Sequence, residues 1–225
     1  MRGLTLILTI LALSITMSTA SSAETVKAAG NIELTDPAGD VSPITTSGKD
    51  HPGFDVVKLT ISSDGKLLNI NATLQDPPGS FATSALVFYF DVDKDPATGA
   101  RLNSYGKPQG FEYKGELKIC MEFENGMAAC TGGSTKSKVK SRYAGMDLYQ
   151  LKGPSESNKE RIVDSMGFPG RKPAVKTPVT GKDAKGSLEY EDLGLKSGQT
   201  VRILVSEACS QRSKSLFPEI LLTLK

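Results

Sequence analysis

Residues 24–131 consist of short runs of β-branched, aromatic and aliphatic residues that are separated by Gly, Pro, Asp and Asn. This alternation of runs and turn residues is the feature that most constrains the fold. No long stretch in that region places apolar residues at helical spacing. Regularly spaced strands with turn signals between them are typical of antiparallel sandwiches. The sequence therefore predicts an all-β fold, an antiparallel two-sheet β-sandwich. The predicted strands are residues 31–34, 55–62, 67–74, 85–90, 111–123, 127–131, 186–190, 200–208 and 219–224, with a hairpin turn at 63–66.

Residues 1–23 have the layout of a secretory signal. Arg2 supplies the positive start, residues 4–15 form a short apolar run, and small residues at 21–23 provide a cleavage site. A membrane anchor is the alternative, but the run has 12 residues, and a spanning helix needs roughly 20. We therefore expect a mature chain of residues 24–225 that folds as a single domain, is secreted or periplasmic, and has no transmembrane segment.

All three cysteines lie in the mature chain, where an oxidising compartment permits a disulfide. Cys120 and Cys130 flank the turn signal formed by Asn125 and Gly126. A three-residue loop centred on Asn125 places the two cysteines opposite each other, whereas a two-residue loop offsets them by one. The predicted disulfide is Cys120 with Cys130, and two half-buried thiols are the alternative. Cys209 is then left over and is predicted to be an inert, partly buried thiol.

Charge is distributed unevenly along the chain. The whole sequence has 27 basic and 25 acidic residues, and a net charge of +2 argues against binding to nucleic acid. Residues 132–187 carry 12 basic and 5 acidic residues, so this segment is strongly positive. A stretch rich in Lys, Gly and Pro is typical of a solvated, weakly structured insertion, which is the prediction for 132–187, with room for one strand at 143–151. An anionic envelope polymer or membrane headgroups are the partners that such a segment could contact.

The sharpest local motif is an apolar strand that ends in aspartates at alternate positions. Asp91, Asp93 and Asp95 follow one another in this way and lead into a turn at Gly99. Calcium prefers six to eight hard oxygen ligands, which a loop curling after a strand can supply. The candidates for the remaining ligands are the Thr98 side chain, the Ala97 carbonyl and Glu112. Calcium is therefore the predicted cofactor, and an Asp-rich turn that only hydrogen-bonds its own amides is the alternative.

A second acidic cluster precedes and opens an early strand. Asp36 and Asp40 bracket a Pro-Gly turn, and Asp55 begins the predicted strand 55–62. Turn aspartates of this kind usually cap loop amides, but three carboxylates near one edge of a sandwich could also form a second calcium site.

Catalytic motifs are scarce. The single His, His51, lies in a Pro-Gly loop, and neither a Gly-x-Ser-x-Gly elbow nor a phosphate-binding glycine loop occurs. We therefore predict no catalytic residues. The alternative is a glycan-processing enzyme that uses two carboxylates, because such a pair meets only in the folded chain.

Three segments, taken in order, resemble the carbohydrate-binding module family 9-like and DOMON-like β-sandwiches, which include the carboxy-terminal module of glucodextranase. The segments are residues 36–40 with 53–65, then 90–99, then 188–198 before a strand. The resemblance spans almost the whole mature chain. It implies a jelly-roll-like sandwich of two antiparallel sheets, structural calcium, and sugar binding or a surface role attached to larger enzymes.

These implied properties transfer unevenly to this chain. Structural calcium transfers to the six acidic positions Asp36, Asp40, Asp55, Asp91, Asp93 and Asp95. Sugar binding transfers poorly, because related modules grip sugars largely between Trp faces and this chain has no Trp. The candidate substitutes are Tyr89, Tyr105, Tyr113, Tyr143 and Tyr149. Haem binding would need axial ligands that His51 alone does not provide.

The sequence thus predicts a non-catalytic β-sandwich module with structural calcium, whose binding partner is a glycan or another component of the cell envelope. A module that interacts with envelope proteins or docks on an anionic polymer is a further alternative.

Overall fold

The computed structural model describes residues 25–37, 44–46, 49–51, 55–78, 83–95, 97–100, 110–130, 138–155, 157–207 and 217–225, with the backbone alone at 44–46, 49–51 and 83–85. Within these residues the chain forms sixteen strands and a short 3-10 turn at Glu191–Leu193. The strands are β1 (Thr25–Ala29), β2 (Asn31–Thr35), β3 (Ile44–Thr46), β4 (Lys49–His51), β5 (Val56–Ser63), β6 (Leu67–Leu74), β7 (Thr83–Asp91), β8 (Tyr113–Phe123), β9 (Ala128–Ala129), β10 (Val139–Leu151), β11 (Lys159–Asp164), β12 (Lys172–Pro173), β13 (Thr177–Pro178), β14 (Asp183–Glu189), β15 (Thr200–Glu207) and β16 (Glu219–Thr223).

The strands form two main sheets. The larger sheet has the order β1-β16-β15-β7-β8-β10-β11-β12, with β9 added beside β8 and β13 beside β10. The smaller sheet has the order β14-β6-β5-β2, and β3 pairs with β4. Strand pairs are antiparallel except β1 with β16 and β11 with β12. This architecture confirms the predicted all-β sandwich of two sheets.

The hydrophobic core lies between the two sheets. Alternation along β5 turns Leu59 and Ile61 inward, and alternation along β7 turns Phe88 and Phe90 toward them, so that all four side chains are buried in one cluster. Gly186 of β14 lies against this cluster, where an added Cβ would be 3.0 Å from Leu117 Cδ1. A glycine at this position therefore allows the edge strand of the smaller sheet to approach the larger one.

Each of the nine strands predicted outright has a counterpart whose bounds differ by no more than three residues, and the strand allowed at 143–151 lies within β10, which begins four residues earlier. The agreement is best for β6, whose bounds are those predicted, and the turn before it is the predicted hairpin. Asp64 fixes that turn because its Oδ1 accepts hydrogen bonds from the amides of Lys66 and Leu67 at 3.0 and 2.8 Å. These hydrogen bonds lower the pKa of the Asp64 carboxyl.

The prediction of a weakly structured insertion at 132–187 is wrong for its described part. The segment supplies β10, the longest strand, which pairs with β8 over most of its length and leads into β11. Seven consecutive residues from Tyr143 to Tyr149 are buried. Several of its basic residues, such as Lys152, Arg171 and Lys176, lie outside the strands, and the strand for which the sequence left room at 143–151 is part of β10.

The β8–β9 hairpin confirms the predicted disulfide between Cys120 and Cys130, whose Cα atoms are 4.1 Å apart. Met121 lies opposite Ala129 in the register, so the loop has three residues centred on Asn125. Gly126 has the left-handed backbone that this loop requires, with φ of +79°. Cys209 lies outside the described residues, as does Asp40.

Candidate metal centre

The Asp-rich loop begins where β7 leaves the sheet. Asp91, the last residue of β7, is 1% exposed and lies opposite Arg202 of β15 in the strand register. Arg202 donates hydrogen bonds from Nε and Nη2 to Asp91 Oδ2, each at 2.7 Å. Two charged donors on one carboxylate oxygen make a strong, charge-assisted pair. The ion pair therefore holds Asp91 in one position at the start of the loop.

The loop then curls because its backbone takes a left-handed turn at Lys94, with φ of +61°. This conformation is rare outside glycine and is supported here by hydrogen bonds from amides to carboxylates. Asp91 Oδ1 accepts from the Lys94 amide at 2.5 Å, and Asp93 Oδ1 accepts from the Asp95 amide at 2.8 Å. Asp95 Oδ1 accepts from the Ala97 amide at 2.9 Å. The three aspartates thus shape the loop that contains them.

Glu112 reaches this loop from the segment that precedes β8. Ala100 and Phe111 form an antiparallel bridge, and the Glu112 amide donates to the Phe90 carbonyl at 3.0 Å. These bonds bring Glu112 beside the end of β7, where its Oε2 accepts from the Val92 amide at 2.8 Å. As a result, one carboxylate oxygen from each of Asp91, Asp93 and Glu112 lies within 4.8 Å of the other two. We call these three residues the carboxylate triad.

Thr98 lies between the members of the carboxylate triad. Its hydroxyl oxygen is 3.1 and 3.0 Å from the two oxygens of Asp93 and 3.0 Å from Glu112 Oε1. It is also 2.9 Å from the carbonyl oxygen of Asp95. A threonine hydroxyl carries one proton and can donate it to one acceptor at a time. Two of these oxygens have another donor, because Asp93 Oδ1 also accepts from the Asp95 amide and the Asp95 carbonyl accepts from the Thr98 amide at 3.1 Å. Asp93 Oδ2 and Glu112 Oε1 therefore compete for the proton of the Thr98 hydroxyl.

Crowding of the carboxylates affects the titration of Glu112. Burial raises the pKa of the Glu112 carboxyl, and the nearby charges of Asp93 and Asp91 raise it further, against opposing hydrogen bonds from Val92 and Thr98. In the described part of the chain, Asp93 and Glu112 form no ion pair, whereas Asp91 has Arg202. When all three carboxylates are ionised, the triad carries three negative charges, and Arg202 offsets part of them while it also pairs with Glu219 at 3.4 Å.

Six residues are predicted to supply ligands at this loop, and the structure brings four of them together. The other two are Asp95 and Ala97. Asp91, Asp93, Thr98 and Glu112 converge as described. The Asp95 carboxylate is not a member of the triad, and it caps the Ala97 amide in the manner of the alternative Asp-rich turn, while its carbonyl faces Thr98. A ligand role for the Ala97 carbonyl stays a prediction.

The second predicted acidic cluster is only partly described. Asp36 and Asp55 flank the β2–β5 pairing, where the Asp36 amide donates to the Val57 carbonyl at 3.0 Å and the Asp55 carbonyl accepts from Gln75 at 2.7 Å. Among the residues with described side chains, neither belongs to a group of three acidic, His or Cys side chains close enough to share an ion. Asp40 is not among those residues, so a second calcium site stays a prediction.

Sequence reasoning missed a polar cluster on the face of β8 and β10 that points away from the core. Asp147 is 1% exposed and accepts hydrogen bonds at Oδ1 from the amide and the hydroxyl of Ser165, each at 2.6 Å. Its Oδ2 is 2.7 Å from Lys118 Nζ and 3.3 Å from the Tyr149 hydroxyl. Arg161 donates to the same hydroxyl at 2.6 Å. An aspartate placed between the apolar residues Met146 and Leu148 was the one available signal of this cluster.

Comparisons with known proteins find no relative of this chain. A scan against protein-family models finds no match, and searches of curated proteins and of solved structures find none either. The resemblance to carbohydrate-binding module family 9-like and DOMON-like sandwiches therefore stays a prediction. No helix within the described residues is long and apolar enough to cross a membrane.

Proposed function

We propose that the protein is an exported, non-catalytic β-sandwich module that binds calcium at the carboxylate triad. The layout of residues 1–23 as a secretory signal supports the export. The bound ion would have a structural role, because the triad joins the end of β7 to the segment before β8. A glycan or another envelope component is the proposed partner, for which the family resemblance is the support.

The observation that carries the calcium proposal is the shortage of protons at Thr98. Asp93 Oδ2 and Glu112 Oε1 each lie 3.0 Å from its hydroxyl oxygen, which can donate to one of them at a time. Clustered acceptors without donors are stabilised by a cation that accepts electron pairs from several of them at once. The triad keeps a surplus of negative charge because Arg202 is shared with Glu219, and this surplus suits a divalent cation.

The donor set favours calcium among divalent ions. Calcium binds oxygen at about 2.3–2.6 Å, so two ligands on opposite sides of the ion are roughly 4.6–5.2 Å apart. The triad oxygens lie within 4.8 Å of one another, an upper bound that both calcium and magnesium allow. Magnesium requires about 2.0–2.1 Å in strict octahedral geometry, and zinc prefers nitrogen and sulfur ligands, which are not part of this group.

Calcium is expected to stabilise the native protein against heat. The ion would cancel the repulsion among Asp91, Asp93 and Glu112, and binding to the native state alone stabilises by about 2.7 kcal/mol at a hundredfold excess over the dissociation constant. The measurement is the melting temperature of chelator-treated protein with added calcium, for wild type and for Asp93→Asn. Asp64→Asn is the matched control, since Asp64 also caps loop amides but belongs to no carboxylate group.

Wild type and Asp64→Asn should both gain stability with calcium, and Asp93→Asn should gain little. The calcium proposal is wrong if millimolar calcium leaves the melting temperature of wild type unchanged, or if Asp93→Asn responds as strongly as wild type. Isothermal titration of the same three proteins with calcium gives the stoichiometry, expected to be one ion at this centre.

The calcium effect should also depend on pH through Glu112. Because the native pKa of Glu112 is raised, the native state holds this proton more tightly than the unfolded state does, and chelated protein should lose stability as pH rises through that range. Calcium competes with the proton, so the stabilisation by calcium should shrink as pH falls through the same range. Glu112→Gln mimics the protonated carboxyl and should flatten both dependences between about pH 4 and 7. Parallel pH profiles for wild type and Glu112→Gln would contradict the assignment.

A further inference from the structure

Large hydrophobic side chains are exposed in the segment that follows β11 and includes the two-residue strand β12. Met166, Phe168 and Val175 are 39%, 50% and 60% exposed, and all three lie within ten residues of chain. Among the described residues, one other large hydrophobic side chain is exposed, Met127 at 57%. Single exposed hydrophobic residues are ordinary, but a group of three in one loop indicates an interaction site. We call residues 166–175 the apolar loop.

The apolar loop is held in place by hydrogen bonds to a buried aspartate. Asp164 is 0% exposed, and its Oδ1 accepts from the amides of Met166 and Gly167 at 2.8 and 3.1 Å. Its Oδ2 pairs with Arg161 at 2.7 Å, and its carbonyl accepts from the Ala174 amide at 3.0 Å. The base of the loop is thus closed at both ends by one residue. These hydrogen bonds hold the loop in a defined conformation, and its hydrophobic side chains are exposed in that conformation.

Both ends of the apolar loop lie close together over β10. A Cβ added at Gly145 would be 3.2 Å from Ser165 Cβ and 3.6 Å from the Val175 carbonyl oxygen. The residue that precedes Met166 and the backbone of Val175 therefore flank the same glycine. The two ends of the apolar loop therefore lie close together beside Gly145.

Basic residues accompany the hydrophobic ones. Arg171 and Lys176 are exposed, and in the part of the chain that the structure describes neither forms an ion pair. Lys176 Nζ lies 4.4 Å from the centre of the Tyr143 ring, which leaves its charge uncompensated. Lys172 is different, because its charge is taken up by Asp192 and Glu189, each at 2.9 Å. Arg171 in the apolar loop and Lys176 directly after it therefore place two positive charges beside the exposed hydrophobic side chains.

We propose that the apolar loop docks on the surface of an anionic lipid bilayer. Met166, Phe168 and Val175 would enter the boundary between headgroups and acyl chains, while Arg171 and Lys176 contact lipid phosphates. An anionic polymer would use the two charges but not the hydrophobic side chains. The proposal depends on neither the calcium centre nor glycan binding, since none of the residues involved belongs to the carboxylate triad.

The test measures binding of the full mature chain to sedimenting vesicles at physiological salt, with calcium chelated. Vesicles of phosphatidylcholine alone are compared with vesicles that also contain phosphatidylglycerol. Wild type should bind the anionic vesicles in preference. Phe168→Ser should weaken that binding about tenfold, and Arg171→Glu should weaken it by about fivefold or more for each unit of charge changed. Met127→Ser is the matched control and should bind as wild type, because Met127 is equally exposed but lies next to Glu122 and Glu124 on the β8–β9 hairpin.

The variant sites are exposed, so all variants should melt with wild type, and circular dichroism checks this. The proposal is overturned if wild type does not bind anionic vesicles, or if Phe168→Ser and Met127→Ser bind equally well. Binding to heparin that is unaffected by Phe168→Ser, together with no vesicle binding, would assign the loop to an anionic polymer. Self-association of wild type that Phe168→Ser abolishes, again without vesicle binding, would assign it to a protein interface.

Discussion

Replacing Asp147 with alanine is expected to lower the free energy of unfolding by about 3–5 kcal/mol, the usual cost of removing one partner from a buried ion pair. Asp147 and Lys118 have side-chain exposures of 1% and 6%, so water cannot replace the lost carboxylate. The Ser165 amide, which is also buried, would lose its acceptor. Burial opposes protonation of Lys118, but its contacts with Asp147 overcome this effect and raise its pKa.

Urea unfolding of wild type and variants measures this loss, and two further variants identify its cause. The double change Lys118→Met with Asp147→Leu removes both charges and should cost clearly less than Asp147→Ala, because Asp147→Ala leaves the buried Lys118 charge with only the longer contact to Glu116 at 3.4 Å. Glu33→Ala removes a partner from the exposed ion pair with Lys58, which spans 3.5 Å, and should cost under about 1 kcal/mol. A loss for Asp147→Ala as small as that for Glu33→Ala would show that the polar cluster has no stabilising role.

Local patterns in the sequence predict most of the strands because burial on one face imposes a period of two. In β6, residues from Leu67 to Leu74 alternate between half-buried and buried positions, and the strand was predicted with its observed bounds. Strands such as β12 and β13 have two residues each, too few to show any period. β10 shows a different difficulty, because its central residues are buried on both faces and the surrounding lysines dominate the composition.

The sequence predicts the candidate metal centre only up to Asp93, where the chain still alternates as it does in an extended strand. Asp91 and Asp93 are two residues apart and share a side, as expected for an extended chain. The alternation ends at Lys94, whose left-handed backbone redirects the chain, so Asp95 turns its carboxylate to the Ala97 amide instead. Arg202 could not be predicted from local spacing, because strand register alone brings it to Asp91 across 111 positions of sequence.

Glycine at position 99 is expected to be essential for this centre, and Gly99→Ala should lower the free energy of unfolding by about 3 kcal/mol or more. Two costs combine there. The backbone has φ of +62°, which costs an alanine about 1 kcal/mol. The new Cβ would also collide with the Phe111 carbonyl oxygen and lie 2.7 Å from Glu112 Oε1. The Phe111 carbonyl belongs to backbone that is held in the bridge with Ala100. It therefore cannot move aside without displacing the next residue, Glu112.

Gly126→Ala separates these two costs. Gly126 also has a left-handed backbone, with φ of +79°, but nothing lies within 4 Å of an added Cβ. Its replacement should therefore cost only about 1 kcal/mol, from the backbone conformation. Urea unfolding measures both losses, and calcium titration of the two variants should show that Gly126→Ala keeps the calcium response while Gly99→Ala loses it through the displaced Glu112. Equal losses of stability in the two variants would mean that the segment containing Phe111 moves to make room for the new methyl group. An intact calcium response in Gly99→Ala would show that Glu112 is not a ligand of the ion.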